Sequence, residues 1–431
     1  MRYRKVRLGL FGVGTVGCGL VELIRNRREK LKRTDGTVLE IVKAVVRDTA
    51  KKRRVDTGEI ALDSDPDFIL NDPEIDIVVE VVGGESPADR FVRSALANGK
   101  HVVTANKALL AAQGEALMEL ARRNRVAILA EASVGSGIPV LKTIRESFVA
   151  NDIVSVLAIV NGTTNYVLTK MAEEGLSYFE ALKMADDAGF TEADPETDVD
   201  GTDAQQKLRI LAAYICDGVF PQGEITCRGI TDLTPSDIDF AERRQMTIKL
   251  LAKAKKREQG LELKVEPTLL PKQHPLANVR NEYNAFLLVG DSIGESILVG
   301  KGAGALPAAS AIYADIMDIC HKRQTVASGF RAKNAKPARI LPSAGSTSEY
   351  YMRFTVDDRP GLIGAIATIL GNHDISVSNT SAELIPNSPG LGQVHVMAHA
   401  TTEQCVFSAI EEIRRVRGIH QDCKFLPVVS S

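Results

Sequence analysis

Over the first 150 residues, short apolar runs rich in Val and Ile alternate with amphipathic stretches. Residues 6–11, 40–46, 75–82, 101–104 and 126–130 read as strands buried on both faces of a sheet. Between them, 87–98 and 109–124 space their apolar residues as helices do. Strand–helix alternation predicts an α/β fold with a doubly wound, Rossmann-like parallel sheet over 1–150.

The pattern then changes. Residues 153–160, 262–267 and 284–289 suit strands, and 178–188, 203–214 and 235–256 suit helices, an α+β region spanning 151–330. Residues 331–348 lack periodicity, carry Pro337 and Pro342, and read as a linker. Residues 349–431 follow the order βαββαβ: 350–356, 362–372, 375–383, 393–400, 402–415 and 421–428. That order predicts a small ferredoxin-like domain.

Composition narrows the classes. At about 150 residues per domain, 431 residues suit roughly three domains. The 53 basic and 55 acidic residues leave a net charge of −2, which argues against nucleic acid as a partner. No apolar run approaches the roughly 18 residues of a membrane span, so no membrane partner is expected. The first apolar run is too short and glycine-broken for a signal peptide. Six scattered cysteines without Cys-x-x-Cys or Cys/His pairing suit reduced thiols in a cytoplasmic protein, not a zinc site.

Gly12-Val13-Gly14-Thr15-Val16-Gly17 is a GxGxxG sequence between a predicted strand and a helical pattern. In that context the first glycine permits the turn and the second admits a pyrophosphate. The third allows close helix packing. The phosphate then meets free N–H groups at a helix N-terminus. The second strand ends Val46-Arg47-Asp48, before Lys51, Lys52, Arg53 and Arg54. Arg47 favours the 2′-phosphate of NADP(H), whereas a run of solvated bases leaves NAD(H) open.

Several further motifs occur in order. They are Thr-Ala-Asn-Lys-Ala-Leu-Leu at 104–110, Glu-Ala-Ser-Val-Gly-Ser-Gly-Ile-Pro at 131–139 and Asn-Gly-Thr-Thr-Asn-Tyr at 161–166. Gly-Phe-Thr-Glu-Ala-Asp-Pro at 189–195, Gly-Thr-Asp-Ala-Gln-Gln-Lys-Leu at 201–208, His-Pro-Leu-Ala at 274–277 and Gly-Lys-Gly-Ala-Gly at 300–304 follow. With the glycine loop, this series resembles homoserine dehydrogenase over about residues 5–330. The C-terminal segment resembles an ACT domain, as in the longer bacterial enzymes. One departure is Pro307-Ala308-Ala309, where the family usually has a threonine after the proline.

The resemblance implies reversible NAD(P)H-dependent reduction of L-aspartate 4-semialdehyde to L-homoserine. It assigns Lys207 as proton donor, Asp203 as its orienting and substrate-binding partner, and Glu192 as the acceptor for the substrate ammonium. From spacing alone, Asp203 and Lys207 are an i,i+4 pair that also suits an ordinary surface ion pair. Lys107, at a strand's carboxyl end, is a cofactor contact or the rival acid. Thr104 and Gly302 belong to the implied cofactor contacts. Backbone carbonyls of Glu131, Val134, Ser136 and Ile138 match the family's sodium-binding turn. His274 reads as structural.

Asp-Asp-Arg-Pro-Gly-Leu at 357–362 sits between a strand and a helix, where a helix N-terminus suits an amino-acid carboxylate. The resemblance implies feedback inhibition by L-threonine and a homodimer or homotetramer. A related NAD(P)-dependent amino-acid dehydrogenase and a non-catalytic amino-acid sensor are the competing readings.

Overall fold

The computed structural model describes residues 3–191, 196–321, 338–386 and 388–429. They form two compact units, each discontinuous in sequence. The first takes the described residues within 1–156, 203–223 and 282–339.

Its centre is a parallel sheet of β1 (Arg4–Phe11), β2 (Thr37–Val45), β3 (Ala61–Asp63), β4 (Ile77–Glu80), β5 (His101–Thr104) and β6 (Ile128–Leu129). Spatial order is β3-β2-β1-β4-β5-β6, so the winding reverses between β1 and β4. Ligands bind at the carboxyl ends of strands at such a switch point. The helix Thr15–Thr34 buries Leu20, Val21, Ile24 and Leu31 against the sheet residues Leu8, Leu10 and Val79. A later helix, Ala305–Cys320, adds Ile312, Ile316 and Ile319 to the same core. The first unit is thus completed by chain far downstream of β6.

The second unit takes the described residues within 157–202, 224–281 and 340–431. Its C-terminal strands and helices follow the expected βαββαβ order: Thr347–Asp357, Leu362–Asn372, Val377–Leu384, Leu391–Thr402, Glu403–Ile413 and Ile419–Val428. The strands lie in the order fourth, first, third, second. A hairpin of Met246–Arg257 and Gly260–Pro271 joins this sheet, because Leu269 pairs with Val428.

The helix expected at 235–256 is corrected by this hairpin. The helix stops at Arg243, Gln245 takes φ +56°, and Met246–Arg257 is a strand. Residue-by-residue pairing with Gly260–Pro271 overrides the helix propensity of its Leu, Ala and Lys residues.

Buried ions tie the hairpin to the C-terminal sheet. Glu403 is fully buried and pairs with Lys264 and, at 3.0 Å, with Arg228. Glu266 pairs with Arg228 and, at 3.1 Å, with Lys253. Nearby, Arg353 and Tyr351 both donate to Asp237 Oδ1, at 2.9 and 2.7 Å. Of the expected linker, 331–337 lies outside the described residues.

Candidate active site

The loop after β1 opens the helix Thr15–Thr34. Gly12 has φ +96°, and Gly17 lies so close to the loop that a Cβ there would sit 2.3 Å from Gly12 O. Gly14 is different. It is the N-cap of that helix, and a Cβ on it would meet nothing within 4 Å. Val13 is buried, whereas Gly14 and Thr15 face outward and Val16 is half-buried. Uncapped N–H groups beside open space fit a pyrophosphate.

The loops after β4 and β5 are knit together beside it. Glu80, fully buried at the end of β4, accepts from Val82 N at 2.7 Å and from Thr104 Oγ1 at 2.6 Å. Thr104 Oγ1 also accepts from Asn106 N at 3.0 Å. The Thr104 side chain therefore ties the end of β5 to β4 and to the loop that follows it. Asn106 caps the helix Lys107–Arg123 by accepting from Leu109 N, and its Nδ2 donates to Gly84 O.

That cap sets Lys107 at the helix start, at the carboxyl edge of the sheet. There it meets Asp203, with Nζ 2.8 Å from Oδ1. Lys207 reaches the other oxygen, Oδ2, at 2.7 Å. Asp203 is 3 % exposed, so this is not a surface pair. Burial pushes its carboxyl up, but Lys207 and then Lys107 outweigh burial and hold it at about 2. An ionised carboxylate between two ammonium groups can orient both and hand either to a substrate oxygen.

The turn after β6 carries four of the sequence candidates. Glu131 turns its carboxylate inward, accepting from Leu141 N at 2.9 Å and Lys142 N at 2.7 Å. Its own N–H donates to the buried Asp315 of the helix Ala305–Cys320. Burial, with Asp315 adding, pushes the Glu131 carboxyl up to about 8. Val134 and Ser136 are buried, and Ser136 has φ +52°. Ser136 Oγ has no hydrogen-bond partner among the described residues. Ile138 O accepts from Val140 N.

Arg47 follows β2 as an exposed side chain. Asp48 caps the next turn, accepting from Ala50 N and Lys51 N, so its carboxylate is engaged locally. Gly302 precedes the helix Ala305–Cys320, whose first residue abuts Gly19 of the dinucleotide helix. Glu192 lies outside the described residues. His274 accepts from Leu276 N and starts the turn Pro275–Asn278, in keeping with a structural role.

Glu80 and Asn106 were not among the sequence candidates. An acid closing an otherwise apolar strand was the available signal for Glu80.

Fold and side chains together define a dinucleotide-binding oxidoreductase. The family model for the homoserine dehydrogenase NAD-binding domain matches residues 12–131, and that for homoserine dehydrogenase matches 139–317. The homoserine dehydrogenase of Synechocystis is 37 % identical over 99 % of this chain and 100 % of its own. The crystal structure of the Thiobacillus denitrificans enzyme superposes with a TM-score of 0.91 at 35 % identity, covering 99 % of each chain. A hyperthermophilic archaeal homoserine dehydrogenase mutant, solved in complex with NADPH, gives 0.63 at 28 % identity over 74 % of this chain and 98 % of its own. The chain belongs to the homoserine dehydrogenase family and is an NAD(P)-dependent oxidoreductase.

Proposed function

We propose that this chain interconverts L-aspartate 4-semialdehyde and L-homoserine with Lys207 as the proton-transferring group. The observation that carries this reading is the buried Asp203 carboxylate held between Lys207 and Lys107 at the sheet's carboxyl edge. The bound dinucleotide supplies hydride to the aldehyde carbon. Lys207 gives a proton to the carbonyl oxygen, and its charge stabilises the developing oxyanion. Asp203 keeps Lys207 aimed and, with Glu192, takes the substrate ammonium. Lys107 holds the second oxygen of Asp203 and faces the cofactor.

Gly12, Val13, Gly14, Thr15, Val16 and Gly17 bind the pyrophosphate, with Thr104 and Gly302 as further cofactor contacts. NADP(H) is favoured over NAD(H). Support comes from exposed Arg47 beside an Asp48 that is engaged in its own turn, and from the archaeal relative solved with NADPH.

The carbonyls of Glu131, Val134, Ser136 and Ile138 would hold a sodium ion. The buried Ser136 hydroxyl, without a partner among the described residues, and an all-oxygen donor set suit a hard cation. Such an ion would brace the turn rather than enter the chemistry.

The chain is further read as a cofactor domain at 1–150, a catalytic and dimerising domain at 151–330, a linker at 331–348 and an ACT domain at 349–431. Exposed Ile297 and Val299 on the edge strand Gly294–Lys301 suit a homodimer or homotetramer. Among the described residues no helix is long and apolar enough to cross a membrane, and all six cysteines are free, which suits the cytoplasm. L-Threonine is the proposed effector, received where Gly361 opens the helix Leu362–Asn372.

The test is homoserine-dependent reduction of NADP+, with and without threonine. Lys207→Ala should lose turnover by orders of magnitude while still binding NADPH. Near-normal turnover would remove Lys207 from the chemistry, and a rate indifferent to threonine would remove the effector.

A further inference from the structure

Asn284 lies on the hairpin Tyr283–Gly290/Gly294–Lys301, directly opposite Gly300. It is fully buried. Gly302 rests on it so closely that a Cβ there would sit 2.1 Å from the carboxamide carbon and nitrogen. Gly300 rests likewise on Ile138, where a Cβ would sit 2.9 Å from Cγ1. The turn at 300–304 is therefore seated on two side chains. It leads into Ala305, and a Cβ on Gly19 would lie 2.7 Å from the Ala305 carbonyl. That contact sets the turn beside the helix that opens on the dinucleotide loop.

Neither Oδ1 nor Nδ2 of Asn284 has a hydrogen-bond partner among the described residues. A buried carboxamide without partners destabilises a fold, and an apolar leucine of the same branched outline has no such polar cost. A buried polar group left unpaired calls for an explanation, and pairing in another state of the protein supplies one.

We infer that Asn284 is a positioning residue for the turn that meets the cofactor, its carboxamide bonding the peptide groups of residues 301–303 when nucleotide is bound. A carboxamide offers both acceptor and donors, the complement of a peptide's N–H and C=O. Glycine at 302 is what lets the backbone descend onto it. The inference rests on the proposed role of the Gly302 turn as a cofactor contact.

The experiment uses the full chain and Asn284→Leu, with the thermal midpoint read without nucleotide and the Kd read for NADPH and NADH. The nucleotide-free midpoint should stay level or rise, while nucleotide affinity falls at least tenfold. KM for the nucleotide should rise in parallel, and KM for the semialdehyde should stay within twofold. A lower midpoint with unchanged Kd would overturn the inference, because the amide would then be satisfied in the free protein. If Asn284→Leu does not fold, Asn284→Ala adds no bulk and carries the same Kd reading, with an unchanged value again overturning it. Failure of the unaltered chain to bind either nucleotide would fell the cofactor reading and this inference together. Normal binding by the unaltered chain with indifferent variants would fell only the inference.

Discussion

Lys107 stands 2.8 Å from Asp203, on the oxygen that Lys207 does not occupy. One buried carboxylate thus balances two ammonium groups. Asp203→Asn removes the charge and keeps the shape, leaving two cations facing a neutral amide. Turnover should fall about a hundredfold or more, and the pH dependence of the rate should change. The pH–rate profile checks this, and an unmoved profile with normal turnover would count against Asp203.

The two lysines are separable. In Lys207→Arg the guanidinium stays charged across the whole working range, so the titrating limb of the rate profile should move or vanish. Lys107→Arg should leave that limb in place and change chiefly the KM values. A limb that moves only in the Lys107 variant would exchange the two roles.

Arg47 bears on cofactor choice. Arg47→Ala should cut the preference for NADPH over NADH by about tenfold, the loss of one exposed phosphate contact. The comparison is kcat/KM with each nucleotide. An unchanged ratio would leave the discrimination elsewhere, with the bases at 51–54 next in line.

A pH-dependent stability follows from Lys249. It is buried and donates to Asn165 Oδ1 at 2.9 Å and Val279 O at 2.6 Å. Burial, then Arg280, push it down to about 7, with Glu173 opposing. Between about 7 and the ordinary lysine value near 10.4, the folded chain holds the amine neutral while the unfolded chain keeps it charged. The unfolded state then binds more protons, so this contribution to stability rises with pH across that window and is flat below it. Lys249→Met should abolish the rise, read as denaturant midpoints at pH 7 and 9.5. A gap between the two proteins that ignores pH would refute it.

Much of this was legible along the chain, for a physical reason. Strands buried on both faces must be apolar runs, so β1, β2 and β5 stand within a few residues of their expected places. The C-terminal βαββαβ order was likewise readable. Met246–Arg257 misled because its lysines are spaced like one face of a helix, whereas Lys249 is buried and Lys253 half-buried by neighbours distant in sequence. In the site, the Asp203–Lys207 spacing is local and visible. The meeting of Lys107 with Asp203 is tertiary: it depends on where two helix starts fall, and no local pattern encodes that.

The ions around Glu403 change how the regulatory question should be put. Trimming the chain before Thr347 would strip Lys264 and Arg228 of Glu403 and leave Leu269 at a bare strand edge. Those cations would lose their carboxylate, and a naked strand edge invites aggregation. A shortened enzyme that ignores threonine would then report a damaged hairpin rather than a missing sensor. Single substitutions near Gly361, in an otherwise whole chain, are the cleaner instrument.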